Sequence, residues 1–370
     1  MLKKLVYYRN RERMLRKGRI RSYERTEGHT DGPIDFVVTW VDGSDPVWRE
    51  AKRSLEEKEG FSGKKDNGEE RYRDWGLFRY WFRAVEKYAP WVNRIYLVTC
   101  SHVPKWLSED CKKVKVVKHS EFMPAEYLPT FSSIPIEMNL HRIPGLSERF
   151  VYFNDDMFLA KPVLPEDFFK AGMPRHCAVL YPLRNDQENG SFQHQLFTAL
   201  GLFNDLFASG ISRTMKEQPE KWFSHEYGKA VKYNIRAYED GYIPGLFFSH
   251  LATPFQKSTF EKVWEILGQR LYETCCHRFR TCYDIPHQIF SGWDIFHNHF
   301  YPVSKEYYGR VFASIPEQTA EIEEAFMGQR YRMVCLNDSP YIDGKSFKET
   351  GEKLIAIMEK AFGEKSEAEL

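Results

Sequence analysis

The chain has 370 residues, 42% of them apolar and 16% aromatic, with a formal net charge of +1. That length holds one large core or two modest ones, and that apolar content excludes an intrinsically disordered chain. Met1–Thr26 carries ten Lys or Arg against two Glu, which leaves about −7 on the remainder and argues against a protein that binds nucleic acid with its whole surface.

Seven cysteines, an odd number without CxxC spacing and with no leader ahead of them, predict reduced thiols in a cytoplasmic protein. No apolar run approaches the ~20 residues of a spanning helix. Any membrane contact must therefore be peripheral: the basic Met1–Glu27 stretch could lie on the anionic inner face of the cell membrane, while a solvated or domain-packing helix is the plainer reading. Gly28–Pro33 reads as a linker.

Ile34–Trp40 is a β-branched strand that closes on Val41-Asp42-Gly43-Ser44-Asp45, where Asp45 can cap a helix that starts at Pro46. A strand, turn and helix in this order commonly hold a nucleotide, so Trp40, Asp42 and Gly43 are candidates for base and ribose, although capping alone explains Asp45. Gly60–Glu70 reads as a mobile loop and Trp75–Tyr88 as an amphipathic helix ending before Pro90. Strands are expected at Arg94–Thr99, Val114–Lys118, Arg149–Asn154 and Cys177–Tyr181, with a short helix after Pro104. Alternating strands and helices predict an α/β fold with a mostly parallel sheet. From Asn185 to Gly245 the pattern is helical and aromatic, an inserted subdomain or lid. A helix over Lys257–Leu267, a strand over Tyr331–Leu336, a closing helix over Lys345–Phe362 and a frayed Gly363–Leu370 tail complete the chain. The organisation read from this pattern is a basic helix and linker (1–33), an α/β core (34–184), a helical insertion (185–245), the rest of the core (246–345) and a C-terminal helix and tail (346–370).

Two apolar strands end in oxygen-bearing residues: Phe150–Phe153 runs into Asn154-Asp155-Asp156, and Tyr331–Leu336 into Asn337-Asp338. Adjacent carboxylates after buried residues are costly unless they meet water or a cation, and hard oxygen ligands suit Mg²⁺ or Mn²⁺. Glu137, on a short helix packed through Ile136, Leu140 and Ile143, is a candidate third ligand; a capped turn or surface ion pair is the plainer account of the acidic pair. His250 has an ordinary pKa near ~6.5 and can exchange a proton near neutrality, while a packed histidine bonded to backbone is the alternative. Arg278 and Arg280 can each fork phosphate oxygens or pair with Asp284. Lys257 more plausibly starts a solvated helix face, and Cys275, Cys276, His277, Cys282 and His287 lack the spacing of a zinc finger and read as core thiols and histidines.

The segments IDFVVTWVDGSDP, RDWGLFRYWFRAVEKYAPWVNRIYLVT, LPTFSSIPIEMNLHRIPGLSERFVYFNDDMF, His250–Pro254 leading into RFRTCYDI, and VCLND resemble, in order, the four conserved regions of the Stealth family of hexose-1-phosphate transferases. These build phosphodiester-linked capsular polysaccharides, and the animal N-acetylglucosamine-1-phosphotransferase is similar. The resemblance implies a GT-A-like, Rossmann-like core and a divalent cation, Mg²⁺ or Mn²⁺. It also implies a nucleotide-sugar donor, usually a UDP-sugar, whose sugar-1-phosphate passes to an oligosaccharide or polysaccharide acceptor as nucleoside monophosphate leaves. It further implies Asp35 as a nucleotide-site residue, Glu137, Asp156 and Asn337 as the metal site, and His250 and Arg280 as the essential histidine and arginine. In that scheme Asp155 shapes the turn or binds a metal water, and Arg278 is the alternative phosphate contact. Forms of the family with an ELR sequence differ here, where Leu77-Phe78-Arg79 stands, so no sugar specificity carries over from them. A glycosyltransferase on the same core, releasing UDP, and a non-catalytic glycan-binding module are the competing readings.

Overall fold

Ile34–Thr39 (β1) is the middle of a five-stranded sheet, and its residues divide by parity between two cores. Val37 faces one with Tyr96, Val98, Phe150 and Tyr152, while Phe36 and Val38 face the other with Leu97, Val151 and Phe153. Burial on both faces is why the strand reads as a continuous apolar run. The computed structural model describes residues 12–17, 32–61, 67–184, 190–339 and 342–370. Of the basic N-terminal stretch only residues 12–17 are therefore described; they are helical, and Met14 and Leu15 pack against the first core. The expected membrane contact otherwise lies outside the described residues. Among them, no helix is long and apolar enough to cross a membrane, and all seven cysteines are free.

After β1, helix α1 (Pro46–Glu59) begins as the sequence predicts, with Asp45 accepting the Trp48 N–H at 2.8 Å, a cap worth ~1 kcal/mol. Helix α2 (Phe78–Tyr88) follows, starting three residues later than its apolar pattern. Strands β2 (Ile95–Thr99), β3 (Val114–Lys118) and β4 (Arg149–Asn154) complete the parallel part, with α3 (Ser133–Asn139) before β4. The sheet order is β3-β2-β1-β4 with the later β8 antiparallel at the β4 edge, so the mostly parallel, Rossmann-like α/β sheet is present. At Asp155-Asp156 the chain leaves this sheet for β5 (Met157–Leu159), which joins a second sheet. Strands β6 (Phe169–Lys170) and β7 (Met173–His176) belong to a third. No strand forms over Cys177–Tyr181: the Asn234 side chain caps Leu180 N–H at 2.8 Å and Ala178 C=O at 2.7 Å, diverting that backbone from a ladder.

The helical insertion comprises α4 (Gly190–Phe207), α5 (Ile211–Glu217) and α6 (Val231–Asp240), joined by shorter turns. Its Leu202, Phe203, Met215 and Ile235 lie in the same cluster as Val37 and Tyr152, so it is a wall of the main core and has no separate one. Strand β8 (Thr253–Gln256) then runs directly into α7 (Lys257–Cys275), which is longer than expected and breaks helical geometry at Leu267 before Gly268. Helix α8 (Gln288–Phe296), β9 (Tyr301–Pro302), β10 (Gly309–Ala313), α9 (Thr319–Met327), β11 (Met333–Asn337) and α10 (Gly344–Ala361) close the fold.

The segment after Pro104 is a turn and not a helix, because its backbone bonds to the C-terminus. Leu107 bridges Glu369, Ser108 N–H donates to Ala368 C=O and Leu370 N–H to Trp106 C=O. The predicted frayed tail is accordingly docked. Glu369 forks the buried Arg83 at 2.7 and 2.8 Å, and Ala368 is buried. Breaking a buried pair by removing one partner costs about 3–5 kcal/mol. Deleting residues 363–370 should lower unfolding free energy by roughly that amount in urea titrations; an unchanged midpoint would mean that the tail carries no stability.

Candidate active site

The edge where β1 and β4 end side by side, Thr39 opposite Asn154, opens into a cavity of about 940 Å³, within the range of small-molecule sites. The strand order reverses between these two parallel strands, with β2 and β3 on one side of β1 and β4 on the other, the switch point at which α/β sheets bind ligands. Asp155 and Asp156 follow β4 into the cavity. Asn337, Glu137, His250, Arg280 and Trp40 also line it.

Asp156 is fixed from the second sheet. Its carbonyl accepts Leu336 N–H at 2.8 Å, and the Cys335 thiol donates to its Oδ2 at 3.3 Å. His250 Nε2 stands 3.4 Å from the same Oδ2. Burial opposes charge on Asp156, but the charge and hydrogen bond of His250, with the thiol, hold its carboxyl below the ordinary value. Burial likewise disfavours the His250 imidazolium, yet Asp156 and the charge of Glu137 outweigh it and raise its pKa. For Asp155, burial and the charges of Asp156 and Asp74 all push the carboxyl well up. Two adjacent carboxyls are thus driven apart, one toward charge and one toward the neutral acid.

Asp156, His250 and Cys335 bring their ligand atoms within 4.8 Å of one another. Glu137 stands outside that group. Its Oε1 accepts the Tyr152 hydroxyl at 3.1 Å and its Oε2 bonds His287 Nδ1 at 2.8 Å. Glu137, Asp156 and Asn337, the residues grouped from the sequence, all line this one cavity, and within it His250 is the side chain that stands against Asp156. A divalent cation fits this place on one observation: Asp156 Oδ1 is buried and has no hydrogen-bond partner among the described residues, which costs a carboxylate several kcal/mol unless a cation meets it. Burial and Asp156 push the Cys335 thiol well up; the carboxylate oxygens of Asp156, with the amide oxygen of Asn337 on the same cavity wall, are hard donors of the kind that suit Mg²⁺ or Mn²⁺.

Arg280 reaches the cavity because Phe279 beside it is anchored between Phe61, at 4.6 Å, and Phe131, at 5.6 Å. Its Nη2 donates to Ser133 Oγ at 3.1 Å, while Nε is buried without a partner among the described residues. Arg278 does not reach the cavity; it donates to the carbonyls of Glu126 and Pro129. Asp284 pairs with neither arginine but with His277, at 2.6 Å, and Thr281. Asp35 sits at the opposite end of β1, four residues or ~13 Å from the edge, where its carboxylate accepts Asn93 Nδ2 and Ser147 N–H, each at 2.7 Å. Asp42 and Gly43 stand beyond the cavity wall. Asp42 holds the Ser44 turn, and Gly43 is required because a Cβ there would lie 2.0 Å from the Tyr72 carbonyl oxygen. Sequence reasoning missed His287 as a partner of Glu137, having weighed it only for zinc, and missed the bidentate Arg73–Asp338 pair at 2.6 and 2.8 Å on the cavity wall.

Burial alone would raise the Glu137 pKa, but His287, Arg280 and Ser133 bring it down to about 2 from an ordinary 4.5. A depressed carboxyl contributes stability above its unfolded pKa and loses it as pH falls through the folded one. Glu137→Gln should therefore be destabilised at neutral pH by roughly 3 kcal/mol, with the gap to wild type closing between about pH 4.5 and 2. Denaturant unfolding across pH checks this, and a gap that persists unchanged at pH 2 would refute the assignment.

Residues 32–60 match the model of Stealth protein CR1, conserved region 1, and residues 71–176 that of Stealth protein CR2, conserved region 2. The chain is 41% identical over 337 residues to a capsular polysaccharide phosphotransferase, WcwK, of Streptococcus pneumoniae, covering 91% of this chain and 98% of that one. It is 39% identical over 312 residues to the receptor polysaccharide phosphotransferase WefC of Streptococcus gordonii, covering 82% and 90%. A crystal structure of the galactosyltransferase LgtC aligns over 90% of this chain and 98% of its own, at 8% identity and a TM-score of 0.37. Matched along nearly its whole length by such relatives and carrying both conserved regions, the chain belongs to the Stealth family and is a transferase.

Proposed function

We propose that this enzyme transfers a sugar-1-phosphate from a nucleotide sugar, a UDP-sugar, to a hydroxyl of a glycan acceptor in capsular or cell-surface polysaccharide synthesis. The acceptor oxygen bonds to the β-phosphorus, the bond from that phosphorus to the bridging oxygen breaks, and nucleoside monophosphate leaves. The observation that carries this reading is the convergence on one GT-A-like sheet edge of Asp156, His250 and Arg280, in a chain whose relatives are polysaccharide phosphotransferases. Asp156, with Asn337 on the same cavity wall, would hold Mg²⁺ or Mn²⁺, which supplies charge neutralisation on the diphosphate.

The chain's own residues account for the remainder. Arg280, held at Ser133 with its Nε free, forks the phosphate oxygens on which negative charge accumulates. His250, the imidazole next to Asp156, takes the proton of the attacking hydroxyl. Trp40, stacked 5.6 Å from Phe78 on the cavity wall, offers a flat face to the base. Asp155, on the cavity wall next to Asp156, would shape the turn that presents Asp156.

The nucleotide product decides the reaction. With UDP-sugar, Mg²⁺ and a polysaccharide acceptor, chromatography should show UMP; UDP would make the protein a glycosyltransferase, and neither product a binding module. Asp156→Asn should melt like the wild type without added cation, yet lose about 10²–10³-fold in turnover. Saturating Mn²⁺ at ~100 times its Kd should stabilise the wild type by about 2.7 kcal/mol and leave that variant unmoved. Equal stabilisation of both would remove Asp156 from the cation site.

A further inference from the structure

The ends of β4, β1, β2 and β3 form one row along the sheet edge, because Thr39 pairs with both Asn154 and Val98, and Thr99 pairs with Lys118. Asp156 follows the strand at one end of that row, and His119 follows the strand at the other. Three strand spacings separate those strands, roughly 14 Å, which is comparable to a nucleoside diphosphate laid along the edge. Both residues line the large cavity. The part of its wall that the first three strands supply is Thr39, Trp40, Val41, Val98, Cys100 and His119, with no carboxylate, ammonium or guanidinium among them.

Within this part, Thr39 Oγ1 is engaged with the Tyr152 hydroxyl at 3.2 Å and Cys100 Sγ lies 3.6 Å from His102 Nδ1. His119 is different. It is only 9% exposed and stands edge-on to Phe122 at 6.4 Å, and its ring nitrogens have no hydrogen-bond partner among the described residues. Buried polar side chains are ordinarily hydrogen-bonded, so an imidazole held at this depth on a ligand cavity keeps its bonding capacity for a guest. Burial, with no charged neighbour acting on the ring, pushes its pKa down to about 4. A neutral imidazole has one nitrogen that donates and one that accepts. That pair matches the imide edge of uracil, where an N–H lies between two carbonyl oxygens, and it brings no positive charge to a phosphate.

We propose that His119 reads the base of the donor nucleotide. A uracil lies across the ends of β1 and β2 against Trp40, with its imide edge bonded to the His119 ring, and the diphosphate extends from there toward Arg280 and Asp156. This rests on the nucleotide-sugar reading and deepens it by assigning the residue that selects the base.

The test is titration calorimetry on the full chain with Mn²⁺ present, comparing UMP with ribose 5-phosphate, which keeps the sugar and the phosphate but lacks the base. The wild type should bind UMP about tenfold more tightly. His119→Leu removes both nitrogens at similar volume, and should lose about tenfold in affinity for UMP and nothing for ribose 5-phosphate. His119→Gln restores a donor and an acceptor and should recover most of that loss. Ring-nitrogen NMR of the wild type should show a His119 signal that moves with UMP and stays in place with ribose 5-phosphate. Unchanged UMP affinity in His119→Leu would overturn the proposal, and so would an equal loss for both ligands. Should His119→Leu fail to fold, a His119 ring signal that UMP leaves unmoved overturns it alone. A wild type that binds neither ligand would refute the nucleotide-sugar reading and the assignment of His119 with it, an outcome distinct from UMP binding that ignores His119.

Discussion

The parallel pairing of β1 with β4, in register from Ile34 against Arg149 to Thr39 against Asn154, is the constraint on which the site depends. It puts the ends of two buried strands on one edge. It also forces the chain, once past Asn154, to turn into open space between two sheets. Asp155 and Asp156 are therefore delivered to the gap by backbone geometry. The antiparallel pairing of β5 with β11, Met157 against Cys335, then brings the last residues of a strand nearly 180 positions away to the same spot. Tyr152 ties the two faces of this edge, receiving Thr39 Oγ1 at 3.2 Å on one side and reaching Glu137 on the other.

Charge within the cavity is arranged in separate pairs. Glu137 is satisfied by His287 and Tyr152, and Asp338 by Arg73. Each such pair costs desolvation that attraction only partly recovers, so none is a strong source of stability by itself. Their effect is to remove competitors. Asp156 Oδ1 and Arg280 Nε are the groups of opposite sign that these pairs leave without partners among the described residues. A cation and an anionic ligand together would complete both at once, which is the physical basis of the proposed donor site.

Most strands were legible because burial on both faces demands continuous apolar runs, and the oxygen-bearing ends of β4 and β11 stood out against them. What failed was governed by long-range partners. Cys177–Tyr181 has the composition of a strand, but Asn234 takes its backbone groups. Gly363–Leu370 has the composition of a loose end, but Arg83, 286 residues from Glu369, holds it. Glu137 lines the same cavity as Asp156 and Asn337, but its hydrogen-bond partner His287 is 150 residues away and no local spacing announces it.

The contrast between Arg278 and Arg280 shows how little separates a guanidinium that faces the cavity from one that does not. Both lie in the same short segment, flanking Phe279, and have identical chemistry. Stacking of Phe279 between Phe61 and Phe131 sets the rotation of that segment, and the Phe131 N–H bond to Arg278 C=O at 2.8 Å fixes its height. With those two restraints Arg278 is spent on backbone carbonyls at Glu126 and Pro129, and Arg280 faces Ser133 and the cavity. Which guanidinium faces the cavity is decided by the packing of an aromatic side chain, so the arrangement of this site resides in its packing as much as in its charged groups.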